Sequence, residues 1–227
     1  KLVLVGSPYA MLLYATCGNP EIVYQDPTFE VEDGSIQYYT TRFEDDEYLA
    51  EFRSPFNGKN NLGHLHNVYS DEMQRYFKFC PEILAVNTIK TDFESRNNGS
   101  DFDSDSCYTT NQPQIVDWAK YCYKNYPTIE NNIPKDTRTY ERTMDDYAAI
   151  DNKLAASQLD IGESSNLAQV AQTYDCTFGE QIHKDAVCIL SVLAQVSIDS
   201  SKRIFDVDVK KEIRRLKKEM RVDEIKY

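Results

Sequence analysis

Nothing in the 227 residues approaches the roughly 20 consecutive apolar residues needed to cross a bilayer, and residues 2–14, the apolar N-terminal stretch, are interrupted by Gly6, Ser7 and Pro8. A membrane-spanning helix and a secretory signal are therefore poor readings. The six cysteines (Cys17, Cys80, Cys107, Cys122, Cys176, Cys188) include no C-x-x-C pair and no Cys/His cluster, so neither a zinc site nor a disulfide framework is indicated. A reducing, cytoplasmic interior is the expected compartment. Positive charge is also scarce: 25 Lys and Arg face 37 Asp and Glu, a formal net charge of −12, so wholesale adsorption to nucleic acid is excluded and any such contact has to be local. A local excess does exist beyond residue 200, where ten Lys and Arg stand against six Asp and Glu. No internal repeat is apparent.

What is present is a globular composition. Hydrophobic residues make up 41%, with 16 Tyr and 10 Phe, enough apolar surface to offset the entropy lost on folding. Up to about residue 110 the chain reads as strands (residues 2–5, 22–24, 34–43, 48–52 and 83–90), with one helical interruption at 70–79. From Gln112 onward the period changes: Ile115, Trp118, Ala119, Cys122 and Tyr126 recur at helical spacing until Pro127. Further helices are expected at 147–159, ending near Gly162; at 166–174, capped by Ser164 or Ser165; at 179–198; and at 209–222. The expected class is α+β, with a β-rich part over 1–112 and an all-helical part over 113–227. Because the chain opens at Lys1 directly on a strand, it reads as a piece of something longer.

The segment that carries chemistry is Asp101-Phe102-Asp103-Ser104-Asp105. On an extended or tightly looped backbone the three carboxylates share one side and Phe102 turns to the other, which a helix cannot do. Three crowded carboxylates repel, and a divalent cation compensates them. Oxygen-only ligands favour Mg²⁺, with Mn²⁺ or Ca²⁺ as substitutes. A solvated acidic turn is the plain alternative. An EF-hand calcium loop fails at its sixth position, Ser106, and its twelfth, Gln112. A sugar-nucleotide transferase with a D-x-D site is a third reading.

With its neighbours, Gly99-Ser100-Asp101-Phe102-Asp103-Ser104-Asp105 resembles the metal-binding loop of the RNA-silencing RNA-dependent RNA polymerases and the related single-chain polymerases of phages and bacteria. Upstream, Phe52-Arg53-Ser54-Pro55 and Gly63-His64-Leu65-His66-Asn67 resemble that family's basic-x-Pro and His-containing segments, and Ile83-Leu84-Ala85-Val86-Asn87 its barrel strand. Downstream, Ser164-Ser165-Asn166-Leu167-Ala168 and the segment from Val196 to Lys202 resemble its helices. The family usually has Gly where Ser104 stands. The resemblance implies a double-psi β-barrel-like fold followed by helices, with Asp101, Asp103 and Asp105 as catalytic metal ligands for Mg²⁺ and Arg53 and Lys202 as substrate contacts. It further implies NTPs, RNA and a DNA or RNA template as partners, no membrane, and a virion-carried enzyme if the source is a phage. It also implies a first barrel, which cannot be placed in these residues and would come from the same or a partner chain. The alternative is a non-catalytic scaffold or binding module derived from such a barrel. His64 and His66 read as loop or core histidines, Trp118 and Tyr121–Tyr126 as a core helix rather than a base-stacking platform, and the basic terminal helix as a solvated face, with contact to an RNA–DNA hybrid as the sharper reading.

Overall fold

The computed structural model describes residues 1–136, 139–200 and 204–222. They form two compact units: Lys1–Ser54 with Lys59–Thr128, and Pro55–Gly58 with the described residues from Ile129 on.

The first unit is built on six strands, β1 (Leu2–Gly6), β2 (Ile36–Tyr39), β3 (Tyr48–Phe52), β4 (Gly63–Asn67), β5 (Ile83–Val86) and β6 (Ser106–Thr110). They close into a barrel in the order β1-β5-β2-β4-β3-β6. Two neighbouring pairs, β1/β5 and β2/β4, are parallel and the other four are antiparallel. Advancing every strand by three positions maps this order and every pairing direction onto itself, so β1–β3 and β4–β6 are topological equivalents. The repeat absent from the sequence is thus present in the connectivity: interior positions accept any apolar residue of suitable size, so shape is retained without residue identity. This is the expected double-psi-like barrel followed by helices.

Period-2 alternation fills the interior. Leu2 and Leu4, Ile36 and Tyr38, Leu49, Leu65, Leu84 and Val86, and Cys107 form one buried cluster, with Phe93 beside it. Several expected boundaries shift for local reasons. The expected strand at 22–24 is a 3₁₀ turn, Pro20–Val23, because the Asn19 side chain accepts from the Glu21 amide and caps it. The 34–43 and 83–90 strands shorten to β2 and β5; after Val86 the Asn87 carboxamide accepts from the Ile89 amide and turns the chain. Residues 73–77 form a π-helical turn. Gly6-Ser7-Pro8, read as a break, instead starts helix α1 (Pro8–Cys17) with proline at its first turn. A short helix α2 (Phe93–Arg96) precedes the acidic loop, and α3 (Pro113–Asn125) packs on β3 and β4. The change to helix at Pro113 and the end of the first unit at Thr128 are therefore different points.

In the second unit, α4 (Met144–Phe178) is a single 35-residue helix where two were expected. Thr143 caps it by accepting from the Asp146 amide, and Gly179 ends it at φ 68. Gly162 does not stop it, and Ser164 caps nothing, since its hydroxyl donates back to the Asp160 carbonyl. A mid-helix glycine costs only about 1 kcal/mol, less than the packing of Leu167, Ala168 and Ala171 against Ala186, Leu190 and Leu193 of α5 (Gln181–Asp199) provides. The last helix, α6 (Val209–Glu219), adds Ile213 and Leu216 to that cluster. No helix among the described residues is long and apolar enough to cross a membrane.

A polar clamp ties two loops to the barrel. His66 of β4 donates through Nδ1 to Glu32 (2.9 Å) and through Nε2 to Asp46 (2.8 Å), with the Tyr48 ring stacked on it. Burial lowers the His66 pKa, but the two carboxylates outweigh it and the net shift is upward; hydrogen bonds from Gln37, Ser35 and His66 outweigh burial at Glu32 and lower its pKa. A raised histidine stabilises below its unfolded value and loses that contribution as pH rises through its folded value, and a lowered carboxylate does the reverse. His66→Gln should therefore cost about 1 kcal/mol between roughly pH 4.5 and 6.5 and progressively less above. Urea denaturation across that range measures it, and a cost that grows toward pH 8 contradicts the clamp.

Candidate metal centre

The acidic loop runs from α2 to β6, and its approach is immobilised before the first aspartate. Arg96 at the end of α2 is buried; its guanidinium donates to Asp92 (2.9 Å) and to the Asn60 carbonyl (3.0 Å) and lies 4.4 Å from the Tyr123 ring centroid. Asn98 and Gly99 both adopt left-handed backbone (φ 56 and 69), a reversal that asparagine and glycine tolerate. The Asn61 side chain donates to the Arg96 carbonyl (2.8 Å) and to the Asn98 carboxamide (3.0 Å), and the Gly99 amide donates to the Glu94 carbonyl (2.8 Å).

Beyond this brace the carboxylates converge. One oxygen from each of Asp101, Asp103 and Asp105 lies within 4.8 Å of the others. The backbone is not extended: Ser104 sits at φ 106, so the loop folds back before β6 begins. The expected two-sidedness survives this, because Phe102 packs against the barrel cluster. Its ring lies 2.7 Å from where a Cβ on Gly6 would stand, so Gly6 is required there. Two contacts hold Asp105, one from the Arg53 guanidinium to Oδ1 (2.8 Å) and one from the Asp101 amide to Oδ2 (3.1 Å). Arg53 also donates to the Asn97 carbonyl (3.2 Å). At 4.8 Å two like charges repel by roughly 1 kcal/mol in water and roughly 3 kcal/mol at an effective dielectric of 20. Arg53 offsets part of this at Asp105.

Beneath the loop lies a carboxylate that the sequence reading missed. Glu51 of β3 is fully buried on the same face of its strand as Leu49. Its Oε2 accepts from the Asn97 carboxamide (3.1 Å), and the Cys107 thiol donates to the same carboxylate. Gly63, its partner across the ladder, has no Cβ because Glu51 Oε2 fills that place, 2.5 Å from where one would stand. Burial pushes the Glu51 pKa up to about 7, against the opposing pull of Asn97, Cys107, Arg96 and Arg53. A Glu at the inward parity of strand 48–52 was the available signal.

Of the expected site residues, the structure brings Asp101, Asp103, Asp105 and Arg53 together, and Lys202 lies outside the described residues. His64 donates through Nδ1 to the Gly34 carbonyl (2.7 Å), and burial lowers its pKa. Trp118 and Tyr121 are not in a core: they stack on each other at 5.2 Å on the outer face of α3, half exposed, while Ala119 and Cys122 face the barrel. Small residues let α3 approach the strands closely, which moves its large rings outward.

No family model matches the chain, and no curated protein matches it. Among solved structures it is similar to the RNA-dependent RNA polymerase QDE-1 from Thielavia terrestris, with a TM-score of 0.44 and 14% identity over 94% of this chain. The match covers 23% of that polymerase chain.

Two substitutions test the braces. Glu51→Gln keeps an acceptor for Asn97 and removes the charge. Since a raised carboxylate loses its stabilising contribution as pH rises through its folded value, the variant should gain roughly 3 kcal/mol on the parent between pH 4.5 and 8, read by chemical denaturation at both ends; a gap independent of pH contradicts the buried charge. Ser104→Gly relieves a positive φ and should stabilise by ~1 kcal/mol with metal affinity retained, and destabilisation would show that the Ser104 backbone is not strained.

Proposed function

We propose that Asp101, Asp103 and Asp105 hold one Mg²⁺, replaceable by Mn²⁺, and that the chain is the metal-binding part of an RNA polymerase, a nucleotidyltransferase that adds NTPs to an RNA 3′ end on a DNA or RNA template. The observation that carries this is the convergence of three carboxylates within 4.8 Å on a loop braced from Arg53, Asn61 and Glu51. The donor set fits the ion. Three oxygens within 4.8 Å of one another lie at most about 2.8 Å from a common point, and rotation of the three carboxylates brings them to Mg–O bonds of about 2.1 Å with neighbouring ligands about 3.0 Å apart. Both Asp105 oxygens accept hydrogen bonds yet keep a lone pair each for a metal. The resemblance of residues 99–105 to the polymerase loop adds the reaction class.

Asp101, Asp103 and Asp105 would hold the ion, and the chemistry it would supply, together with a second Mg²⁺ carried by the triphosphate, is a lowered pKa at the RNA 3′-hydroxyl and neutralised charge at the α-phosphate. The chain's own residues contribute position. Arg53 fixes the Asp105 carboxylate and keeps a guanidinium at the edge of the site, where its planar donors suit ribose or phosphate oxygens. The Asn97 carboxamide, held by Glu51, sets where the loop leaves α2. Lys202 is the second proposed substrate contact. Lysines that grip substrate phosphates would come from a first barrel in the same or a partner chain, and the metal-binding part without that barrel is expected to be inactive.

Calorimetric titration with Mn²⁺ tests the site. Asp103→Ala should bind at least about tenfold more weakly, and primer extension by the longer polymerase that this reading requires should fail with the same substitution. If the parent chain and the variant bind metal equally, and the longer protein does not extend RNA, the barrel is a non-catalytic scaffold.

A further inference from the structure

The most segregated charge in the described residues lies on α6. At about 100° per residue, its side chains sort into three stripes. Ile213 and Leu216 face inward and are buried in the helical core. Glu212, Arg215 and Glu219 form a second stripe that neutralises itself, since the Arg215 guanidinium lies 2.8 Å from Glu212 and 2.8 Å from Glu219. The third stripe, an arc of about 120°, holds only cations: Lys210, Lys211, Arg214, Lys217 and Lys218. Within it only Lys210 approaches an acid among the described residues, Asp160 at 4.0 Å and largely in solvent. Cations that serve only solubility are normally interleaved with acids at i,i+4. Here the acids are confined to the stripe that pairs with Arg215, in a chain of net charge −12.

We infer that this stripe of α6 is a binding surface for the phosphate backbone of nucleic acid. From Lys210 to Lys218 it runs about 12 Å along the helix axis, the length of three to four steps of about 3.4 Å along one strand of a duplex. A row of cations, of which only Lys210 approaches an acid among the described residues, matches that linear repeat of charge. A lipid surface fits less well, because an interfacial helix needs a free apolar face and that of α6 is buried in the core. Contacts of this kind position the strand and carry no sequence preference.

The surface does not depend on a metal at the acidic loop, and the test keeps the two apart. Fluorescence anisotropy with a labelled 20-nucleotide RNA, single-stranded and as a duplex, is read from 50 to 300 mM salt in EDTA. The triple variant Lys211→Gln, Arg214→Gln, Lys218→Gln changes only exposed side chains and should keep its helical circular dichroism. Its log–log salt dependence should flatten by about 2, with affinity for the single strand reduced on the order of 10²-fold at 50 mM salt. Arg215→Gln removes a paired charge and should bind within about twofold of the parent. No RNA binding by the parent, equal binding by the triple variant, or an equal loss in Arg215→Gln would overturn the inference. So would binding to phosphatidylserine vesicles, in place of RNA, that the triple variant loses.

Discussion

Three carboxylates do not stay within 4.8 Å of one another of their own accord. Their mutual repulsion has to be met by a loop whose ends are fixed and by a cation at its edge. The barrel supplies both. Asn97 is held from below by Glu51 and from the side by Arg53, and Asp105 is held by Arg53 and by the amide of Asp101. The loop then returns to β6 through the positive φ of Ser104. Phe102, driven into the barrel cluster, ties the middle of the loop to the same core that closes the sheet. The site is therefore an extension of barrel packing, and the buried Glu51 is tolerated because Gly63 vacates the space beside it and Asn97, Cys107 and two arginines face it.

The acids themselves were legible in the sequence, because alternation with Phe102 is a local pattern. Their support was not. Arg53 meets Asp105 across 52 positions, Asn61 meets Asn98 across 37 and Glu51 meets Asn97 across 46, and pairings of that range depend on strand register, which a single sequence states only weakly. Arg53 was singled out through family resemblance, and the structure supplies a partner for it. Glu51 carried only the faint signal of a charge at an inward position.

The fold divides in the same way. Alternation gave β1, β2, β3 and β5 their approximate places, and helical spacing gave α3, α5 and α6. β4 passed unnamed as a strand because Gly63-His64-Leu65-His66-Asn67 has little β-branched character, and its pairing with β2 and β3 comes from closure of the barrel. In α4, Gly162 and the serines that follow looked like a stop and a start, yet tertiary packing of the C-terminal half carried the helix through. Trp118 and Tyr121 followed a core period and still face outward, because α3 meets the barrel through Ala119 and Cys122. Periodicity marks which face of a helix is apolar, while closeness of approach decides which of those residues is covered.

In the proposed function one cation sits between Asp101, Asp103 and Asp105 because the barrel holds them ready for it. Anomalous diffraction from a crystal grown with Mn²⁺ tests that most directly. A single anomalous peak within about 2.3 Å of one oxygen from each of the three aspartates, with Arg53 still on Asp105 and Asn97 still on Glu51, is the predicted result. A peak elsewhere, or a loop that has to leave Arg53 and Glu51 before it binds metal, would contradict it.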